Sequence, residues 1–288
     1  MTSSPIALRA HFSDLATDYD VVLSDVWGVV HNGVEAFPEA CDALIRFRAA
    51  GGRVILITNS PRPTESVIRQ LERLKVPANV HDGLVSSGEL TRGVIRARAG
   101  QTVFHMGPPR DASIFTGLDV TFAPLEAADY VICSGLFDDE HETPEDYRAR
   151  LEGMRARNQF LVCGNPDVVV ERGEQLLYCA GAIADLYQAM GGEVLYAGKP
   201  YRPIYDEAMR LAGKAGAKAE GARVLAIGDS VRTDLSGAHA FGIDCLFITA
   251  GIHAEELGAR ETPDPDALVK IFTAAGTLPR AVMRRLVW

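Results

Sequence analysis

The 288-residue sequence predicts an α/β protein built on parallel sheets. Three observations carry that reading. Short β-branched runs recur along most of the chain, helix-like segments separate them, and several runs are apolar at consecutive positions. Strands buried on both faces of a parallel sheet have that character, and right-handed crossover helices join them.

Taken in order, VVLSD (21–25) is the first strand. PEACDALIRFRAAGG is the first long helix, opened by Pro38 and closed by Gly51–Gly52. RVILITN (53–59) follows as a strand and PTESVIRQLERLKV as a helix. TVFHMG (102–107), YVICSG (130–135) and FLVCGN (160–165) are strands, with the helix TPEDYRARLEGMRARN before the last of them. EVLYAG (193–198) precedes the helix YRPIYDEAMRLAGKAG, and VLAIGD (224–229) and DCLFIT (244–249) complete the strands. The final segment TLPRAVMRRLVW is apolar and basic, and reads as a helix docked on the body or as a subunit contact.

The length suits two domains of ordinary size, and 47% hydrophobic with 23% charged residues is a globular composition. No apolar run approaches the ~20 residues that span a bilayer. The opening MTSSPIALRAHFSDLATDYD lacks the basic leader and apolar core of a secretory signal. A net charge of -9 argues against a nucleic acid as partner and is compatible with a small phosphorylated molecule in a locally positive pocket. Cys41, Cys133, Cys163, Cys179 and Cys245 form no C-x-x-C pair and read as reduced core thiols of a cytoplasmic protein.

Four strand ends carry chemistry-bearing side chains. Asp25 follows VVLS, Thr58 and Asn59 follow RVILI, Lys199 follows EVLYAG, and Asp229 and Asp234 lie in GDSVRTD after VLAI. If these strands share one sheet, all four groups meet beyond its carboxyl edge, where open α/β sheets bind ligands. A strand-end carboxylate such as Asp25 can attack phosphorus and divide a hydrolysis into two steps. Nucleophile and phosphate are both anionic, so a hard cation held by Asp25 and Asp229 must bridge them; Mg²⁺ prefers such oxygen ligands. The Thr58 hydroxyl and the Asn59 N–H can donate to phosphoryl oxygens, and Lys199 can neutralise them. Asp234 can orient Lys199 or a metal-bound water. Singly, each residue has a plainer reading as a helix cap, a turn or a solvated lysine. Their ordered combination is what is specific. No G-x-G-x-x-G turn follows the first strand, and no G-x-S-x-G elbow occurs, which disfavours dinucleotide oxidoreductases and serine hydrolases.

In SDVWGVVHNG, VILITNSPRP, VSSGEL, CGNPD, YCAGAIADLYQAMGGEVLYAGKP and VLAIGDSVRTDLSGAHAFG, the sequence resembles the haloacid dehalogenase (HAD) superfamily. The resemblance is to subclass IIA, which contains nitrophenylphosphatase-like and nucleotide-monophosphatase-like enzymes. It implies a Rossmann-like core at 1–86 and 194–288 with an inserted α/β cap at 87–193. It further implies Asp25 as nucleophile and Mg²⁺ on Asp25, the Trp27 carbonyl and Asp229. Thr58, Asn59 and Lys199 would hold the phosphoryl group. Asn165, Asp167, Arg172 and Tyr178 would be cap residues facing the substrate, although CGNPD reads equally well as a structural strand-to-turn signal. Cap-to-cap homodimers are common in that branch.

The sequence departs from the family at one position. The first motif is normally D-x-D, its second aspartate serving as general acid and base, and here the triplet is Asp25–Val26–Trp27. A backbone carbonyl survives the change, but proton transfer does not, because indole is only a donor. Three readings stay open: a phosphatase that is slow or takes a good leaving group, one that recruits another acid such as His31, or a protein that binds a phosphometabolite with little turnover.

Overall fold

A computed structural model describes residues 6–172, 175–218, 221–258 and 263–288. The first five residues of the opening segment MTSSPIALRAHFSDLATDYD lie outside them. Along the chain the strands are β1 (Val21–Ser24), β2 (Arg53–Thr58), β3 (Gly83–Ser86), β4 (Thr102–Met106), β5 (Thr121–Phe122) and β6 (Tyr130–Cys133). Then come β7 (Phe160–Cys163), β8 (Val169–Arg172), β9 (Gln175–Tyr178), β10 (Val194–Tyr196), β11 (Val224–Gly228), β12 (Asp244–Ile248) and β13 (Ala281–Met283). Every run read as a strand in the sequence is one. The chain divides into two units: 1–58 with 70–85 and 205–288, and 59–69 with 86–204.

The first unit holds a six-stranded sheet in the order β13-β12-β11-β1-β2-β3. Its pairs β1–β2, β1–β11, β11–β12 and β12–β13 are parallel. β1 and β11 are buried at every position, which is why their sequences run apolar without alternation. The chain leaves β1 towards β2 on one side and returns to β11 on the other. β1 and β11 therefore flank the switch point of the sheet, where the crevice of an open α/β sheet lies. Leu235, Ala238, Phe247, Leu268 and Phe272 belong to a core cluster of this unit.

The second unit holds a five-stranded sheet, β10-β7-β6-β4-β5, parallel throughout, and a two-stranded antiparallel hairpin, β8-β9. Val131, Tyr147, Leu161, Ile183 and Tyr187 are among its fully buried side chains.

Two expectations are corrected. EVLYAG is not a strand of the six-stranded sheet: Val194–Tyr196 pairs with β7, in register Leu195↔Val162, in the second unit. Lys199 therefore follows a strand of a different sheet from the one carrying Asp25, Thr58 and Asp229. The carboxyl-terminal segment is not a helix. Ala281–Met283 pairs with β12, and the Trp288 ring meets Phe12 edge-on at 5.9 Å. β-Branched and apolar residues on an open sheet edge win there over helical periodicity. All five cysteines are buried and free. Among the described residues no helix is long and apolar enough to cross a membrane.

Candidate active site

Asp25 is the first residue beyond β1, and its own N–H donates to the Ile227 carbonyl of β11 at 2.7 Å. Its Oδ1 accepts from the Val26 N–H at 2.7 Å, which anchors one carboxylate oxygen. Asp229 directly follows β11. Because Ser24 is in register with Ile227, the two aspartates leave adjacent parallel strands within one residue of each other.

Asp234 reaches the same place by another route. After Asp229 the chain enters a π-helical turn, Val231–Leu235, capped by the Ser230 hydroxyl accepting from the Thr233 N–H at 3.2 Å. Asp234 and Leu235 N–H both donate to the Ser230 carbonyl at 3.0 Å, and the Ser230 N–H donates to Asp234 Oδ2 at 3.1 Å. The wider turn, a geometry concentrated at functional sites, folds the Asp234 carboxylate back to the strand end. Asp25, Asp229 and Asp234 are all buried, and one oxygen of each lies within 4.8 Å of the others. Three anions buried this closely repel strongly unless a cation sits among them.

The backbone around Asp229 is shaped to admit its carboxylate. A Cβ on Gly251 would stand 1.8 Å from Asp229 Oδ2, and one on Gly28 would stand 2.1 Å from the same oxygen. Gly28 also has φ +80, which side-chain-bearing residues rarely adopt. The Ile252 N–H donates to Asp229 Oδ2 at 3.0 Å. This hard, all-oxygen donor set fits a divalent cation.

Trp27 occupies the next turn. The bonds flanking it join the His31 N–H to the Val26 carbonyl and the Gly28 N–H to the His31 carbonyl. The indole lies edge-on to the His31 ring at 4.9 Å. His31 is 1% exposed, and its Nδ1 accepts from the Gly33 N–H at 2.9 Å. That bond puts the proton of the neutral ring on Nε2. His31 thus holds the loop together, and any acid role is left to the Nε2 edge alone.

Two family models match: a haloacid dehalogenase-like hydrolase over residues 22–121 and a HAD-hydrolase-like model over 196–275. A solved hydrolase of the haloacid dehalogenase-like family from Brucella suis 1330 is 44% identical, with 97% of this chain and 100% of that chain covered and a TM-score of 0.86. The chain belongs to the haloacid dehalogenase-like hydrolase family. Among curated proteins, the 5'-nucleotidase YutF of Bacillus subtilis is 25% identical over 83% of this chain and 90% of its own length. The glycerol-3-phosphate phosphatase of Gallus gallus is 26% identical over 85% of this chain and 84% of its own.

In this HAD-like hydrolase Thr58 ends β2 and is buried, and Asn59 begins the second unit. Lys199 is 2% exposed. The Asn59 side chain is wholly engaged: its Oδ1 accepts from the Lys199 N–H at 2.7 Å, and its Nδ2 donates to Asp167 Oδ1 at 2.8 Å and to the Lys199 carbonyl at 3.1 Å. The sequence pointed to the Asn59 backbone and gave no sign of this side-chain role, since the partners stand 108 and 140 residues away.

The four residues expected in the cap separate into two groups. Asn165 and Asp167 share a turn after β7, where Asn165 Oδ1 accepts from the Asp167 N–H at 3.1 Å. The Asn165 side chain closes that turn. Arg172 and Tyr178 lie at opposite ends of the β8–β9 hairpin. Arg172 pairs with Glu140 on the exposed surface, and Tyr178 is 41% exposed. The hairpin keeps those two side chains apart.

Proposed function

We propose that this hydrolase is a magnesium-dependent phosphatase acting on a small phosphorylated metabolite through an aspartyl-phosphate on Asp25. The observation that carries the reading is the buried cluster of Asp25, Asp229 and Asp234 at the switch point of the sheet. The names of two relatives, a nucleotidase and a glycerol-3-phosphate phosphatase, support the reaction class. The second unit, with its own sheet, serves in this reading as the cap that selects the organic group.

Asp25 attacks phosphorus with a carboxylate oxygen, the leaving group departs with the bonding pair, and water then releases phosphate from the acyl phosphate. The Val26 N–H holds the carboxylate in one rotamer throughout, so little entropy is lost in reaching the transition state. Asp229, kept in place by Ile252 N–H, and Asp25 with the Trp27 carbonyl would hold Mg²⁺, and Asp234 completes the charge around it. That ion would supply neutralisation of the repulsion between carboxylate and phosphate. Thr58 and Lys199 stabilise the phosphoryl oxygens.

Trp27 shapes the choice of substrate. Its indole can neither protonate a leaving alkoxide nor take a proton from water. The reading therefore favours aryl and acyl phosphates, whose leaving groups depart as stable anions. The test is phosphate release from p-nitrophenyl phosphate and acetyl phosphate with Mg²⁺, compared with a simple alkyl phosphate. Turnover of the first two that disappears in Asp25→Asn supports the proposal. Saturable, metal-dependent binding of these phosphates without any release would instead make the protein a phosphometabolite binder.

A further inference from the structure

Lys199 stands in a loop whose backbone is gripped from both sides. Asn59 accepts from its N–H at 2.7 Å and donates to its carbonyl at 3.1 Å, so a single carboxamide brackets the residue. The same Nδ2 donates to Asp167 Oδ1 at 2.8 Å, which decides the orientation of the amide. With Asp167 accepting, the nitrogen must face Asp167 and the Lys199 carbonyl, and the oxygen must face the Lys199 N–H. A reversed amide would set its oxygen against two acceptors.

The neighbourhood is built around the bracket. A Cβ on Gly198 would stand 2.5 Å from Asn59 Oδ1 and 2.9 Å from both Pro166 Cδ and Ser87 Oγ. Only a glycine lets the chain pass there. Asn59 is 2% exposed and both Gly198 and Ser87 are buried, so water competes poorly for these bonds. Asp167 is fixed in turn, its N–H donating to Asn165 Oδ1 and its carbonyl accepting from the Gly181 N–H, both at 3.1 Å.

We infer that Asp167 and Asn59 are positioning residues for Lys199, acting in series, rather than groups that read the substrate. Asp167 sets the amide, the amide sets the backbone of Lys199, and that backbone aims the ammonium that meets the phosphoryl group. The inference rests on the phosphatase reading only for what Lys199 does.

The test is calorimetric titration with orthophosphate in the presence of Mg²⁺, beside an electron-spin-resonance titration with Mn²⁺ alone. By analogy with outer partners of metal ligands, whose removal costs about 10- to 100-fold, Asp167→Ala is expected to weaken phosphate binding by about 10-fold. Asp167→Asn keeps an oxygen that can accept from Asn59 and loses less. Asn59→Asp, which can no longer donate to either partner, loses most. Mn²⁺ affinity stays constant across the series, a result that general loosening of the structure would not give. Should Asp167→Ala fail to fold, the order of Asp167→Asn above Asn59→Asp makes the same test. Equal phosphate affinity in all variants, or Mn²⁺ affinity falling in step with phosphate, overturns the inference. A wild-type protein that binds Mn²⁺ but no phosphate instead overturns the phosphatase reading, and this role for Lys199 with it.

Discussion

At Asp229 the carboxylate is bounded by two glycine backbones and accepts from the Ile252 N–H, so the absence of side chains helps to fix its position. Gly251→Ala would place a methyl 1.8 Å from Oδ2 and must displace one or the other. Mn²⁺ affinity measured by spin resonance is expected to fall by about 10- to 100-fold, the usual effect of losing an outer-sphere constraint on a metal ligand. Trp27 gives the opposite prediction. Restoring a carboxylate in Trp27→Asp should raise turnover of alkyl phosphates by as much as about 10²- to 10⁴-fold, the ordinary contribution of a general acid, while aryl phosphates gain little. Equal gains for both would mean that the indole acts by shape and not by its missing proton. These residue-scale features were unevenly legible. Asp25 and Asp229 could be found because each ends an apolar run, which marks the end of a strand. The Asn59 bracket could not, because it depends on which distant segments the fold brings together.

Among the elements, the π-helical turn Val231–Leu235 carries the most consequence for the site, because an ordinary helical turn would aim Asp234 elsewhere. The spacing of Asp229 and Asp234 was visible in the sequence, but the extra residue in the turn was not, since hydrophobic periodicity does not register it. Ser230→Ala removes the cap of that turn and should cost about 1 kcal/mol of stability in chemical denaturation, with a matching loss of metal affinity. A second staple lies at the far end of the strands. Asp82 accepts from Arg48 Nε at 2.8 Å and from the Val54 N–H at 2.9 Å, tying the start of β3 to β2. Burial alone would raise the Asp82 carboxyl, but its hydrogen bonds from Arg48 and Val54 outweigh that and bring it below the usual range. A carboxyl lowered on folding stabilises above its unfolded pKa, and the contribution is lost as pH falls through the folded value. Asp82→Asn should therefore cost about 1–3 kcal/mol near neutral pH, by the usual worth of a hydrogen bond to a charged group, and less at pH 3. A penalty that is the same at both pH values would mean that charge plays no part. The longer apolar runs were legible as strands, whereas the short strands β3, β5, β8, β9 and β13 were not, and neither was sheet membership. EVLYAG reads like any buried strand, and only its pairing with β7 reveals that it belongs to the second unit.

For the whole molecule, the main electrostatic fact is a net charge of -9 with three carboxylates buried together. A cation that binds only the folded state stabilises it by mass action, about 2.7 kcal/mol at a hundredfold excess over its Kd. Mg²⁺ should accordingly raise the midpoint of thermal unfolding and chelation should lower it, with no response in Asp229→Asn. The two units were expected from the length and the resemblance, at 1–86 with 194–288 and at 87–193. By internal contacts the second unit also takes 59–69 and the segment up to 204. The physical reasons are the pairing of β10 with β7 and the bonds from Asn59 to Asp167 and Lys199. The most direct test of the account is chemical trapping at the nucleophile. Protein quenched during turnover of acetyl phosphate with Mg²⁺ and reduced with borohydride should carry homoserine at position 25, found by peptide mass spectrometry. Phosphate release with residue 25 left as unmodified aspartate, or with the reduced residue elsewhere, would contradict it.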